Sequence, residues 1–359
     1  MIKKLLILLV VATFCYGDAK GEKGCEFLSL GGAIIDYYFM VSDRELMEIV
    51  DEKGGWDAID YKSFESILKQ QKNAATIAWG GSSASMIKGL SQLGHRCAIV
   101  GKVGDDDRGR LYIDKIKNLG IETHFEKGAL PTGQAICLVT PDGKRTFRTY
   151  LGASHSLSEL KFDETIFKGK KLFHVEGYQL FDRDLVIKTF KLAKKEGMLI
   201  SLDLGSLDVA RRNKEFIEDI LGKYVDILFC NEKEAKVLTD LSARESCAEL
   251  AKQVDTVVIT MSEKGSWAQR ENERIFMEAI PVTAVDSTGA GELYAAGFLH
   301  GHLSGYPLKK CAHMGALVAS YVVKRVGADI PDEMWEDLRE EISLMDKSPM
   351  PPAAKEPAQ

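Results

Sequence analysis

Residues 285–292, which read Val-Asp-Ser-Thr-Gly-Ala-Gly-Glu, form the stretch that decides the fold predicted from this sequence. An apolar segment of helical length, Leu293–Leu303, follows directly. Glycines before a helix allow the backbone to approach a ligand closely, and the free amides at a helix N-terminus favour an anion. The stretch therefore predicts a phosphate-binding turn. The structural alternative is a plain glycine turn in which Glu292 only complements the helix dipole.

Outward from this stretch, strand-like runs alternate with amphipathic helical segments. Strands are predicted at Phe27–Leu30, Cys97–Val103, Ala135–Thr140, Thr146–Leu151, Lys171–Gly177, Met198–Leu204, Val225–Cys230 and Thr256–Met261. Helices are predicted at Arg108–Leu119, Asp184–Lys195, Lys214–Leu221 and Ala243–Lys252. The alternation indicates an α/β fold with a doubly wound, mostly parallel sheet flanked by helices, and it places ligands at the carboxyl ends of the strands.

Two stretches interrupt the alternation. Ala33–Asp60 has extended character, and the predicted strands on either side of Pro141-Asp142-Gly143-Lys144 have the form of a hairpin. We expect parts of residues 33–60 and 130–152 to form a small β-sheet lid beside the main sheet. A structural hairpin without a functional role is the alternative.

Composition limits the classes of function. The 359 residues are 45% hydrophobic and 28% charged, which fits a globular domain that we place at residues 25–340. The net charge of -6 and the lack of a basic run argue against nucleic-acid binding. The sequence therefore favours a small-molecule partner, and it leaves a homodimer open.

The two ends differ from the rest of the chain. Lys3 and Lys4 precede an apolar run, Leu5–Phe14, and small residues follow, so residues 1–19 resemble a signal peptide. The run is too short for a stable membrane span, which needs about 20 residues; a buried strand or a wrongly chosen start codon are the alternatives. Residues 347–359 hold four prolines and are predicted to be a disordered tail.

The cysteines beyond this segment are scattered and form no C-x-x-C pair. They are Cys25, Cys97, Cys137, Cys230, Cys247 and Cys311. Several lie within apolar runs, so we expect buried free thiols and a reducing, cytoplasmic location. The signal-like segment leaves export open.

Further motifs follow one another in a fixed order along the chain. They are Leu30–Asp36, Trp79–Ser85, Leu93-Gly94, Val100–Asp106, Asn231–Glu234 and Thr260–Gly265, with residues 285–292 last. In this order, from about Glu26 to Asp329, they resemble the PfkB (ribokinase-like) carbohydrate kinase family, most closely its bacterial adenosine kinase-like members. The resemblance implies ATP-dependent phosphoryl transfer to a hydroxyl of a nucleoside or sugar, with Mg²⁺. Some relatives are activated by K⁺.

The resemblance also assigns roles to residues. Catalysis falls to Glu292 as the base, with Gly289, Ala290 and Gly291 as the anion hole. The acceptor would contact Asp36, Gly80, Gly81, Ser85 and Arg145. The nucleotide would contact Asn231, Glu234, Thr260, Gly265, Asp286 and Thr288, with Glu234 organising Mg²⁺ indirectly and Cys311–Val323 bordering the adenine. From the residues alone, Asp36 could instead cap a loop, and Arg145 could be a solvated hairpin residue.

Three positions depart from the family pattern. Glu292 replaces the family's aspartate, and Gly32 and Ser85 stand where relatives usually carry asparagine. These changes, together with the signal-like segment, support a second hypothesis. The chain would then be a catalytically weak or inactive ligand-binding member of the family, for which export from the cell stays open.

Overall fold

The computed structural model describes residues 26–161 and 163–347. The signal-like segment at 1–19, Cys25 and the expected tail beyond residue 347 lie outside these described residues.

In chain order, the described strands are β1 Phe27–Leu30, β2 Ile34–Met40, β3 Trp56–Ala58, β4 Thr76–Gly80, β5 Cys97–Gly104, β6 Glu122–Gly128, β7 Gly133–Val139, β8 Arg145–Tyr150, β9 Leu172–Glu176, β10 Leu199–Asp203, β11 Ile227–Asn231, β12 Thr256–Thr260, β13 Ser266–Arg270 and β14 Glu273–Met277. The described α-helices are α1 Asp43–Met47, α2 Tyr61–Gln70, α3 Ser82–Gln92, α4 Asp107–Asn118, α5 Arg183–Lys195, α6 Leu207–Arg212, α7 Lys214–Tyr224, α8 Glu232–Thr239, α9 Ala243–Leu250, α10 Ala290–Leu303, α11 Leu308–Val322 and α12 Asp332–Lys347. Short 3₁₀ helices lie at Gly152–Glu159, Glu164–Phe167, Gly177–Phe181 and Ser262–Lys264.

The larger sheet has nine strands in the order β14-β13-β12-β11-β10-β9-β1-β5-β6. Strands β12 to β6 of this order run parallel, and β13 and β14 extend the edge in antiparallel fashion. Because β1 lies between β9 and β5, the chain winds in both directions from the middle of the sheet. The prediction of a doubly wound, mostly parallel sheet is confirmed.

A second, smaller sheet has the order β3-β8-β7-β2-β4. The predicted hairpin is present as β7 and β8, which pair antiparallel. The sequence-based description of residues 33–60 was incomplete, because helix α1 interrupts the extended chain there. Ser42 and Glu45 form a capping box that starts this helix. Strand β4 joins the same sheet and was not predicted.

Helix α10 is buried on nearly all sides, which explains why its sequence is apolar throughout. It packs between α3 and α11, and glycines permit the close approach. A methyl group on Gly89 would lie 2.8 Å from Cβ of Ala296, and one on Gly297 would lie 2.5 Å from the carbonyl oxygen of Met314. These contacts fix the N-terminus of α10, and with it residues 285–292, against the carboxyl edge of the larger sheet.

Four of the predicted free thiols are confirmed as free and buried: Cys137, Cys230, Cys247 and Cys311. Cys97 is buried, as predicted. Over the described part of the chain, the structure contains no helix that is both long and apolar enough to span a bilayer.

Candidate active site

A cleft of about 1910 Å³ opens between the two sheets at the carboxyl ends of the parallel strands. It brings together most residues that the sequence singles out. The lining includes Asp36, Gly81, Ser85, Arg145, Asn231, Glu234, Thr260, Gly265, Asp286, Thr288, Gly289, Ala290, Gly291 and Glu292. Gly80 is absent from this lining, because it lies behind the carboxylate of Asp36.

Asp286 organises the turn that precedes α10. One of its carboxylate oxygens accepts hydrogen bonds from the amide of Thr288 at 3.0 Å and its hydroxyl at 2.7 Å, and the other accepts from the amide of Gly327 at 2.9 Å. Asp286 is 1% exposed. Both Asp286 and the Thr288 hydroxyl are therefore committed to holding the turn in shape, which leaves the backbone of the turn to face the cleft.

Gly289 supplies the sharp change of direction in this turn. Its φ of +79° lies in the left-handed region, and a methyl group on it would lie 2.7 Å from Cβ of Ala328. The amide of Ala290 donates to the carbonyl of Ser287 at 3.3 Å. Since the first amides of any helix lack a partner within the helix, the start of α10 presents N–H groups and a positive dipole end to the cleft.

Asp36 lies on β2, on the opposite wall of the cleft. Its carboxylate packs against Gly80 so closely that a methyl group there would lie 2.0 Å from Oδ2. The hydroxyl of Tyr38 donates to the same oxygen at 3.3 Å. Burial raises the pKa of Asp36 to about 7, with smaller opposing effects from the cation of Lys88 and from Tyr38. Gly80 therefore makes room for this buried acid.

Glu176, at the end of β9, ties the two acceptor-side turns together. Its carboxylate accepts hydrogen bonds from the amide of Gly32 at 3.1 Å, the amide of Ser83 at 2.7 Å and the side chain of Gln179 at 2.9 Å. Gly81, with φ of +95°, completes the contact, because a methyl group on it would lie 2.3 Å from the carbonyl oxygen of Gly32. Burial is the main cause of a raised pKa at Glu176.

Asn231 and Glu234 form a reciprocal capping box at the start of α8. The Asn231 side chain accepts hydrogen bonds from the amides of Lys233 and Glu234, while Glu234 accepts from the backbone amide of Asn231 at 2.9 Å and from its side chain at 2.6 Å. Burial raises the pKa of Glu234 to about 7. The pair thus shapes the end of β11 and presents a buried carboxyl group to the cleft.

The nucleotide side of the cleft is bounded by β12, β13 and α11. Thr260 ends β12, and its hydroxyl donates to the carbonyl of Cys230 at 3.5 Å. Gly265 has φ of +112°, and a methyl group on it would lie 2.1 Å from the carbonyl oxygen of Met277. From α11 and the residue after it, the predicted adenine border contributes Ala316, Ala319, Ser320 and Val323 to the lining.

Glu292 lies in the first turn of α10, where its charge acts on both halves of the cleft. Burial is the main cause of the raised pKa of four acids: Asp36, Glu176, Asp203 and Glu234. The negative charge of Glu292 is a further cause of the raised pKa in each of them. A carboxylate that raises the pKa of both the acceptor-side Asp36 and the nucleotide-side Glu234 is within electrostatic range of both. A proton acceptor for the transferred hydroxyl must lie in the cleft, where Glu292 is found.

The smaller sheet places a positive charge beside the anion turn, which is the turn at residues 286–291. Arg145 begins β8, and its Nε lies 3.7 Å from Oδ1 of Asp286. Its side chain is 28% exposed and lines the cleft. The guanidinium therefore faces the turn that would hold phosphate.

An aromatic contact joins the two sheets across the cleft. The rings of Trp56, on β3, and Tyr178, in the turn after β9, have centroids 5.0 Å apart. Both residues line the cleft. They supply an apolar surface near the polar groups at the strand ends.

Sequence reasoning missed Glu176, Asp203 and Lys88. The first two occupy the last position of a buried parallel strand, so the rule that ligands bind at the carboxyl ends of such strands could have identified them. Lys88 gave no such signal, because it lies on an interior helix.

The acids of the cleft fit a role for Mg²⁺ that is indirect. Among the described residues, no group of three or more His, Cys, Asp or Glu side chains is arranged to hold a metal ion. Mg²⁺ usually keeps several waters and binds through substrate phosphates with one or two carboxylates. Glu234 and Asp203 are buried acids whose pKa values are raised, first by burial and also by neighbouring carboxylates, so a nearby cation would stabilise their ionised forms.

Comparison with known proteins gives consistent results. A nucleoside kinase from Methanocaldococcus jannaschii is 28% identical over 80% of this chain and 95% of its own length. A 5-dehydro-2-deoxygluconokinase from Geobacillus thermodenitrificans is 26% identical over 68% of this chain and 78% of its own. The solved structure of adenosine kinase from Sinorhizobium meliloti is 31% identical, with a TM-score of 0.82 over 88% of this chain and 99% of that one.

The fold and the cleft together define a phosphotransferase with ribokinase-like α/β architecture. Residues 45–335 match the pfkB family carbohydrate kinase pattern. The chain therefore belongs to the pfkB family of carbohydrate kinases, and the resemblance stated from the motifs is confirmed.

The raised pKa of Asp36 predicts a cost in stability. A carboxyl whose folded pKa is above its ordinary 3.8 stabilises the fold when protonated, and this contribution is lost as the pH rises through about 7. This loss accumulates between pH 3.8 and about 7, so we expect Asp36→Asn to stabilise the ligand-free protein most at pH 8, by up to about 4 kcal/mol, and by less than half as much at pH 5. Thermal unfolding at both pH values tests this.

A matched control has the opposite sign. The pKa of the exposed Asp105 is held below its ordinary value, mainly by a hydrogen bond from Lys127, so Asp105→Asn should lose stability at pH 8. If Asp36→Asn also destabilised the protein at pH 8, this would show that ionised Asp36 does not lower the free energy of unfolding.

Proposed function

We propose that this chain transfers the γ-phosphoryl group of ATP to a hydroxyl of a nucleoside or sugar, with Glu292 as the base. The observation that carries the proposal is the placement of Glu292. It follows the left-handed turn at Gly289, lines the cleft and is within electrostatic range of the buried acids of both cleft walls.

Each wall has a distinct task in the reaction. Asp36 would accept hydrogen bonds from acceptor hydroxyls, and Gly81 and Ser85 would shape the turn beside it. Glu292 would take the proton of the attacking hydroxyl, whose oxygen forms a bond to the γ-phosphorus as the bond to the β-phosphate oxygen breaks and ADP leaves. Amides of the turn at Gly289, Ala290 and Gly291 would bind the charge that develops on the phosphoryl oxygens.

The remaining residues would hold the nucleotide. Arg145 would add positive charge over the phosphates, while Asp286 and Thr288 would keep the turn in shape. Thr260, Gly265 and the α11 surface would border the nucleotide, and Asn231 would position Glu234. Mg²⁺ would neutralise charge on the phosphates, with Glu234 acting on it indirectly.

A nucleoside acceptor is supported by the aromatic surface of Trp56 and Tyr178, because nucleobases stack on aromatic rings. It is also supported by the likeness to the adenosine kinase from Sinorhizobium meliloti. Sugars stay in the proposal because Gly32 and Ser85 replace the asparagines usual in the family. A site that loses polar partners discriminates less among acceptors.

The activity test is an assay for ADP formed from ATP and Mg²⁺, with panels of nucleosides and sugars, each with and without K⁺. We expect ADP formation that depends on at least one acceptor, and a phosphorylated product of the matching mass. ATP hydrolysis that is equal with and without every acceptor, in a folded protein, would contradict the proposal.

The alternative, a weak or inactive ligand-binding protein, is favoured by the replacement of aspartate by Glu292. Scattered buried thiols and the use of ATP support a cytoplasmic location for an active kinase. Mass spectrometry of the mature N-terminus distinguishes the two hypotheses, because cleavage near Gly17 or Ala19 would place the protein where ATP is scarce.

A further inference from the structure

A buried lysine connects the acceptor side of the cleft to its phosphate side. Lys88 lies on α3 and is 8% exposed. Its ammonium donates to the carbonyl of Trp79 at 2.8 Å and to Oδ1 of Asp329 at 2.5 Å. The residue after Trp79 is Gly80, which packs against the carboxylate of Asp36. The ammonium therefore holds the peptide that borders the acceptor-side acid.

Asp329 belongs to a short turn that also contacts the phosphate side. Two residues earlier, the amide of Gly327 donates to Asp286, and Ala328 packs against Gly289. The turn 327–329 thus contacts the anion turn at one end and Lys88 at the other. A displacement of this turn would move both walls of the cleft.

We propose that Lys88 is a positioning residue for phosphoryl transfer, whose buried ammonium balances the charge of Asp36 and anchors the turn 327–329 beneath the anion turn. The inference rests on the proposed function, because it assigns Asp36 to the acceptor. An ammonium is costly to bury unless polar and charged partners replace the water that it loses. Lys88 has two such partners, the carbonyl of Trp79 and the carboxylate of Asp329.

The charges that face Asp36 come from several elements. They are the cation of Lys88 on α3, the phenol of Tyr38 on β2, the carboxylates of Asp329 and of Glu292 on α10, the thiol of Cys137 on β7 and the phenol of Tyr112 on α4. Burial raises the pKa of Asp36 most; Lys88 opposes this rise, whereas Asp329 and Glu292 add to it. Removal of Lys88 and removal of the Asp329 charge should therefore have opposite effects.

The test compares Lys88→Met with Asp329→Asn. We expect the acidic limb of the pH profile of kcat/KM for the acceptor to move to higher pH in Lys88→Met, by about one unit, and to lower pH in Asp329→Asn, by several tenths of a unit. At pH 7 the KM for the acceptor should rise about fivefold in Lys88→Met, because the ionised fraction of Asp36 falls from about one half to about one tenth. A purely structural lysine would lower activity without moving the limb.

The matched control is Lys194→Met. Lys194 also forms an ion pair, with Asp226 at 2.6 Å, but it is remote from the cleft. Its replacement should leave the acidic limb in place. Limbs that stay unchanged in both test variants, or that move in the same direction, would overturn the inference.

A second measurement separates this inference from the proposed function. The carboxyl pKa of Asp36 can be followed by NMR in protein labelled at aspartate, with Asp36→Asn for assignment, and this needs no turnover. If the wild type transfers no phosphoryl group, the proposed function fails, while opposite pKa shifts would still support the electrostatic coupling of Lys88 and Asp329 to Asp36. If Lys88→Met does not fold, the Asp329→Asn variant tests the inference alone, because the side chain of Asp329 is 47% exposed and its replacement should leave the fold intact. A lowered pKa of Asp36 in this variant supports the inference, and an unchanged pKa overturns it.

Discussion

Glu292→Gln is expected to lower kcat about 10²–10⁴-fold, the range that a positioned general base contributes. Glutamine keeps the shape of the side chain but loses its negative charge and its ability to take a proton. Because Glu292 is partly exposed at the start of α10, the variant should fold normally. Single-turnover measurements with ATP and the best acceptor, compared with ATP affinity from equilibrium binding, would separate the chemical step from binding.

Glu292→Asp is the matched variant. It keeps the charge and withdraws the carboxylate by one methylene, which restores the family residue. If the extra methylene misplaces the base, kcat should rise by up to about 100-fold, because an error of about 1 Å can cost that much. A Gln variant with wild-type kcat would show that Glu292 is not the base. A silent wild type together with an active Asp variant would support the ligand-binding hypothesis for the natural chain.

Gly289→Ala is expected to reduce phosphoryl transfer by at least about 100-fold, because it removes preorganised donors from the charge that develops in the reaction. The added methyl group would lie 2.7 Å from Cβ and 3.0 Å from Cα of Ala328, in a backbone conformation with φ of +79°. The turn must therefore shift. The KM for ATP and kcat should both change, which steady-state kinetics would detect.

Gly120→Ala controls for backbone strain. Gly120 has φ of +73°, nearly that of Gly289, but nothing lies within 4 Å of the added methyl group. This variant should lose about 1 kcal/mol of stability, the usual cost of a left-handed non-glycine residue, and keep its activity. Equal loss of activity in both variants would show that the effect of Gly289→Ala is general destabilisation.

The large sheet could be predicted because its strands are continuous apolar runs. The predicted strand Phe27–Leu30 matches the structure at both ends, and Thr256–Met261 differs by one residue. Such runs are typical of parallel strands buried on both faces. The edge strands β13 and β14 carry mixed polar and apolar residues, and short β4 was hidden inside a glycine motif, so periodicity did not identify them.

The site was predictable where chemistry depends on backbone shape and much less so where it depends on long-range contacts. The turn at Gly289 and the capping box of Asn231 and Glu234 are local, and their residue order alone specifies them. The partnership of Lys88 with Asp329 spans 241 positions of sequence. Neither residue has a local pattern that indicates the other, so only the packing of α3 beneath the cleft reveals the pair.

The contact between Trp56 and Tyr178 gives the protein an intrinsic fluorescence signal from the cleft. Of the four tryptophans, Trp56 lines the cleft and Trp79 on β4 is partly buried, whereas Trp267 and Trp335 are each 4% exposed within the hydrophobic cores. Indole emission depends on solvent contact and on neighbouring rings, so the fluorescence of Trp56 would follow the spacing between the two sheets. Acceptor entry could thus be followed in unlabelled protein by stopped-flow fluorescence.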